Sequence, residues 1–153
     1  MSNIGTRTRP LGAPLVLDGK FRYASSSVAS ILVVDDDPST LKLFAAALGG
    51  IATVTTAGGG KEALELLAVR QFDALVLDLH MPHVDGHAVL QELGDPSAKN
   101  HLTPVYIATA DDSTQARVIA QRRRGVFFVT KPVSLKMLTA LIAAQLERSA
   151  NRK

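Results

Sequence analysis

The sequence predicts a doubly wound α/β domain, and two observations carry that prediction. From residue 31 onward short apolar runs alternate with segments of helical periodicity, and two of the runs, ILVVD and ALVLD, are continuously apolar until they end in acid. Continuous runs suit strands buried on both faces, as in a parallel sheet with helices on either side. Strands that alternate with helices need right-handed crossovers, and their working groups collect at the carboxyl ends of the strands.

The elements follow in order as ILVVD, STLKLFAAAL, ATVTTA, KEALELLAV, ALVLD, HAVLQEL, PVYIATA, TQARVIAQ, VFFVT and LKMLTALIAAQL, which make five β-α units. Breakers fall between them, at Gly49-Gly50, Gly58-Gly59-Gly60, Met81-Pro82, Gly94-Asp95-Pro96 and Gly125. Ser39 and Thr40 beside Pro38 are expected to start the first helix. Residues 1–30 stand outside the alternation and are expected to form an amino-terminal extension. It is either a flexible segment ending in the linker-like SSSVAS or a short hairpin turning at Asp18-Gly19 within LVLDGKFRY. The domain proper is then 31–148, with a tail at 149–153.

With 153 residues, 46% of them hydrophobic, the chain suits one domain with a well-filled core. It has no cysteine, which excludes disulfides and thiolate metal sites and fits a cytoplasmic setting. No apolar run reaches the roughly 18 residues of a membrane span. The formal charge of +3 comes from the ends: Arg7, Arg9, Lys20 and Arg22 against Asp18, and Arg148, Arg152 and Lys153 against Glu147. Residues 31–146 hold ten basic and twelve acidic residues, so global charge gives no case for direct binding of nucleic acid.

Chemistry concentrates where the two continuous runs end. Asp35, Asp36 and Asp37 close the first and Asp78 closes the other, which builds an acidic pocket at the carboxyl edge of the sheet. Carboxylates crowded there repel one another, and a divalent cation with oxygen ligands relieves that repulsion. Mg2+ is the expected ion.

VVDDD after the first strand, VLDLHMPHVDG after the third, YIATA after the fourth and VTKP after the fifth together resemble the receiver domain of bacterial response regulators. Each motif alone is weak; four in order, each at a strand end, are specific. The resemblance implies a flavodoxin-like (βα)5 fold with strand order 2-1-3-4-5. It also implies that Asp78 is the phosphoryl acceptor, attacking the phosphohistidine of a sensor histidine kinase or a histidine phosphotransfer protein. Asp35 and Asp36 match the family's acidic metal pair, and the backbone carbonyl of His80 matches its remaining protein ligand for Mg2+. Lys131 matches the lysine that reaches the phosphoryl oxygens, Thr109 the switch hydroxyl, and Phe128 the switch aromatic. His80 and Asp111 occupy positions that overlook the phosphoryl group, where they are expected to tune its hydrolysis.

Several of these residues also have plainer readings. Asp37 is expected to lead the first helix and complement its dipole rather than bind metal. Asp85-Gly86 reads as turn chemistry with a helix cap. Phe128 also fits core packing, Thr109 also fits a strand end, and His83 and His87 read as solvated. QRRRGVFFVTK departs from the family, which usually carries small residues there and a glycine one position earlier. Arg122, Arg123 and Arg124 fit either a solvated helix end or a docking patch for an acidic partner.

The expected function is therefore a phosphoacceptor that signals through a phosphorylation-dependent contact with a downstream protein. It is not an enzyme apart from catalysing its own phosphorylation and dephosphorylation. The few residues outside 31–148 lead to the expectation of a stand-alone receiver. Two alternatives stand beside it. VDDDPST loosely resembles phosphatases of the haloacid dehalogenase type, in which the first aspartate is the nucleophile, but that reading leaves HMPHVDG unexplained. A receiver-like module that is no longer phosphorylated is the other.

Overall fold

The computed structural model describes residues 15–17, 20–22, 28–110 and 114–152. A short antiparallel pair, β1 (Leu15–Leu17) and β2 (Lys20–Arg22), precedes the main sheet. Asp18-Gly19, the three serines that open the SSSVAS segment and Asp111 lie outside the described residues.

The main sheet comprises β3 (Ser30–Val34), β4 (Thr53–Ala57), β5 (Ala74–Leu77), β6 (Val105–Thr109) and β7 (Val126–Thr130). All neighbours are parallel, in the order β4-β3-β5-β6-β7, which is the expected 2-1-3-4-5 among the strands of this sheet. The helices are α1 (Pro38–Leu48), α2 (Gly60–Val69), α3 (Gly86–Leu93), α4 (Thr114–Gln121) and α5 (Leu135–Ala150). α5 thus runs through residue 148 without a break.

Burial explains which runs looked continuous. Every residue of β5 and β6, and all of β3 after Ser30, is buried, because these central strands carry helices on both faces. β4 and β7 are edges, and their patterns are mixed. Successive residues of a strand point to opposite faces. Leu32, Val34, Leu75, Leu77 and Ile107 accordingly pack with Ala63 and Leu67 of α2 and Val89, Leu90 and Leu93 of α3. On the other face Ile31, Val33, Val76, Tyr106 and Ala108 pack with Phe44 and Leu48 of α1 and Leu138 and Ile142 of α5.

Helix starts place the loops around the carboxyl edge. Asp37, rather than Ser39 or Thr40, caps α1: its carboxylate accepts from Ser39 N–H at 3.1 Å and from the Thr40 hydroxyl at 2.7 Å, with Pro38 opening the first turn. Asp85 caps α3, accepting from Ala88 N–H at 3.0 Å as its turn chemistry led us to expect. Gly125 adopts φ +77°, a conformation that favours glycine at the turn into β7.

The arginine run is not uniform. Arg122 and Arg124 are exposed, but Arg123 is 9% exposed and turns inward. Its guanidinium donates to the carbonyls of Leu93 at 3.3 Å, Asn100 at 3.1 Å and Thr103, tying the end of α4 to the loop between α3 and β6. Asn100 extends that network, accepting from Phe72 N–H and donating to the carbonyls of Leu67 and Arg70. Neither the solvated helix end nor the docking patch holds for this residue: backbone acceptors satisfy a buried cation.

Candidate functional site

The pocket is assembled by the sheet ladder itself. Asp78 N–H donates to the Val34 carbonyl at 3.0 Å and Asp35 N–H to the Ala57 carbonyl at 3.2 Å, so both acids are held where their strands end. Asp35 is 3% exposed and Asp78 7%, while Asp36, the next residue, is exposed at the rim. One carboxylate oxygen from each of the three lies within 4.8 Å of the others.

Lys131 enters from the turn after β7. Its Nζ donates to Asp35 Oδ2 at 3.1 Å and to Asp78 Oδ2 at 3.3 Å, bridging the two buried acids. Burial alone would lower the lysine pKa, but hydrogen bonding to Asp35 and the charge of Asp78 outweigh it and the net shift is upward. The second oxygens are used as well. Asp35 Oδ1 accepts from Asp37 N–H at 2.9 Å and Asp78 Oδ1 from His80 N–H at 3.1 Å. Three carboxylates against one ammonium leave two negative charges among hard oxygen donors. That set fits a divalent cation of the Mg2+ or Ca2+ kind.

Thr109 is buried at the end of β6, beside Thr130 of β7 in register. The Lys131 backbone N–H donates to the Thr109 carbonyl at 3.2 Å, which brings the expected switch hydroxyl and the lysine to one corner. Phe128 is 40% exposed, with the Arg117 guanidinium 5.6 Å from its ring centroid, so it is not a core residue in this conformation. The His80 side chain is exposed. His87 departs from the solvated reading. It is largely buried, its Nδ1 lies 3.7 Å from Asp85 Oδ2, and its Nε2 is buried without a hydrogen-bond partner.

Two residues that shape the site were read only as local features or missed. A Cβ on Gly86 would stand 2.2 Å from the Asp78 carbonyl oxygen and 2.6 Å from Leu79 Cα, so the start of α3 is pressed against the backbone of the acid. The sequence signalled a turn there but not this contact. A Cβ on Gly60 would likewise meet the Val84 carbonyl at 2.1 Å, fitting α2 under the same loop.

A doubly wound sheet whose carboxyl edge holds two buried aspartates bridged by a lysine, with a threonine at the next strand end, defines a receiver domain. Residues 31–143 match the response regulator receiver domain family, and the chain belongs to that family of two-component signalling proteins. It is 32% identical over 129 residues to the probable transcriptional regulatory protein TcrX of Mycobacterium tuberculosis, covering 84% of this chain and 54% of that protein. It is also 32% identical over 152 residues to transcriptional regulatory protein TrcR of the same species, covering 99% of this chain and 58% of that one. The chain thus spans little more than half the length of these two relatives. Among solved structures, the Francisella response regulator 1452 receiver domain superposes with a TM-score of 0.68 at 31% identity, covering 79% of this chain and 98% of that one. A CheY-like receiver domain protein from Methanospirillum hungatei shares the fold with a TM-score of 0.73 at 21% identity, covering 83% of this chain and all of that one. No helix among the described residues is long and apolar enough to cross a membrane.

Proposed function

We propose that Asp78 accepts a phosphoryl group from the phosphohistidine of a sensor histidine kinase or histidine phosphotransfer protein. The resulting acyl phosphate then alters a contact with a downstream protein. The observation that carries this reading is Lys131 held between Asp35 and Asp78. A carboxylate attacks an anionic phosphoryl group slowly unless positive charge offsets the electron density gathering on the transferring oxygens. An Asp78 oxygen forms the new P–O bond, the P–N bond of the phosphohistidine breaks, and its electron pair returns to the imidazole.

Each neighbour has a part in that transfer. Lys131 lets go of a carboxylate and follows the phosphoryl oxygens. The Thr109 hydroxyl donates to one of them once they are present, and Phe128 responds to that movement sterically, having no hydroxyl of its own. Asp35, Asp36, Asp78 and the His80 carbonyl would hold Mg2+, which when bound supplies further positive charge to the transferring group. His80 and Asp111, whose positions in the sequence match those that overlook the phosphoryl group in the family, tune the hydrolysis of the acyl phosphate. The receiver unit is taken as residues 31–148, flanked by the extension at 1–30 and the tail at 149–153, in a cytoplasmic setting.

Incubation with a small acyl-phosphate donor, with and without Mg2+, tests the reading by intact mass. One added phosphoryl group that requires Mg2+ supports it, and an unmodified chain overturns it. Continuous turnover of a generic phosphate ester would favour the phosphohydrolase instead.

A further inference from the structure

The main sheet ends in two edge strands, β4 and β7. Along a strand, successive residues turn their backbone N–H and C=O to opposite neighbours within the sheet. Thr53 N–H donates to the Ala29 carbonyl at 2.8 Å, and the Ala57 carbonyl accepts from Asp35 N–H at 3.2 Å, so Thr53, Thr55 and Ala57 face β3. Val54 and Thr56 therefore turn their N–H and C=O to the open side. The outward donors just beyond them are already used: Ala52 N–H donates to the Leu48 carbonyl at 3.2 Å, and Gly58 N–H to Glu62 Oε2 at 2.8 Å. What remains open in β4 is a short stretch, bounded at both ends.

That stretch is unguarded. Edge strands that stay unpaired usually carry a charge or a proline, whereas TVTTA has neither and is made of residues that suit strands. Thr53 and Thr56 are exposed. Arg70 donates to the Thr55 hydroxyl at 3.3 Å, but Thr55 pairs in register with Leu32 and so points to the face under α2 rather than along the edge.

The β1–β2 hairpin is incomplete in the complementary way. It forms a two-stranded sheet of its own with three residues in each strand, and two strands alone are marginal in water. β2 ends at Arg22, and the chain then leads to Ala29, whose carbonyl already holds the start of β4. The seven residues from 23 to 29 span at most about 23 Å. A strand laid beside β4 stands about 10 Å from β3, and one laid beside β7 about 19 Å, at the usual spacing between strands. β4 is the edge that this connection reaches with length to spare for a turn.

We propose that β2 lies antiparallel along β4, takes up the open backbone groups of Val54 and Thr56, and extends the sheet to the order β1-β2-β4-β3-β5-β6-β7. The direction follows from the connection, because β2 has to finish at the end of the sheet where β3 begins. β4 of a second copy offers the same groups, but a tether this short holds the hairpin at an effective concentration of about millimolar. The amino-terminal extension thus serves as the edge strand of its own domain. This inference does not depend on phosphorylation of Asp78.

The test uses the full chain, isotope-labelled for nuclear magnetic resonance. Amide exchange at Val54 and Thr56 is expected to be at least about tenfold slower in the parent chain than in Phe21→Pro, where β2 loses a backbone N–H and its ladder, while Thr53 and Thr55 stay equally protected in both. Thermal melting checks that the variant remains folded. In the parent chain, Overhauser contacts between Cα hydrogens are expected to join residues 20–22 to residues 53–57, and a mixture of labelled and unlabelled chains is expected to place them within one molecule. Fast exchange at Val54 and Thr56 in the parent chain, protection there that survives Phe21→Pro, or contacts absent or running only between molecules would each overturn the proposal.

Discussion

The Lys131 backbone N–H donates to the Thr109 carbonyl at 3.2 Å, so the ladder between β6 and β7 fixes the turn from which the ammonium reaches Asp78. Sheet register, rather than the lysine's own flexible stem, sets where the charge can go.

Replacing Lys131 by Met should slow phosphorylation of Asp78 by on the order of 10²-fold, the effect of removing one preorganised donor from a transition state. The pKa of this lysine is raised in the folded chain. Its stabilising contribution is therefore fully present below the unfolded value of about 10.4 and is lost as pH rises through the higher folded value. Thermal melts should show this loss above about pH 10 in the parent chain and lack it in Lys131→Met.

Asp37 should matter for folding and not for the metal. The Thr40 hydroxyl and then the Ser39 N–H hold its carboxylate below its ordinary pKa. Its contribution is present above the unfolded value of about 3.9 and disappears as pH falls through the lower folded value. Asp37→Ala should lower the melting temperature at pH 7 and leave the Mg2+ dependence of phosphorylation unchanged. A weakened Mg2+ dependence would show Asp37 to be a ligand.

Gly86→Ala forces a methyl group into the Asp78 carbonyl. Overpacking of this kind should destabilise the domain by about 1–3 kcal/mol in urea unfolding. Since the displaced backbone belongs to the acceptor, labelling by an acyl-phosphate donor should also fall, even at temperatures where the variant is fully folded.

Arg123→Ala removes the donor from three buried carbonyls. The cost should be about 3 kcal/mol, whereas truncating exposed Arg122 should cost under about 0.5 kcal/mol. Urea unfolding of both variants checks the contrast.

How much of this was legible in the sequence follows from burial. β3 and β5 were readable because both of their faces are covered, which forces an unbroken apolar run. The acids were readable because each directly follows such a run. What escaped depends on side-chain direction. Three adjacent arginines are identical as letters, and only the end of α4 decides that the second turns inward. The altered spacing of Gly125 marked the place without giving the direction. The fit of Gly86 under Asp78 is likewise a distance between segments, for which a turn motif carries no signal.

The most direct test is to locate the phosphoryl group. After labelling with an acyl-phosphate donor and Mg2+, borohydride reduction converts a phosphorylated aspartate to homoserine, which peptide mass spectrometry can place. Homoserine at position 78, and none in Asp78→Ala, is the expected result. Homoserine at position 35 or 36, or none in the parent chain, would contradict it.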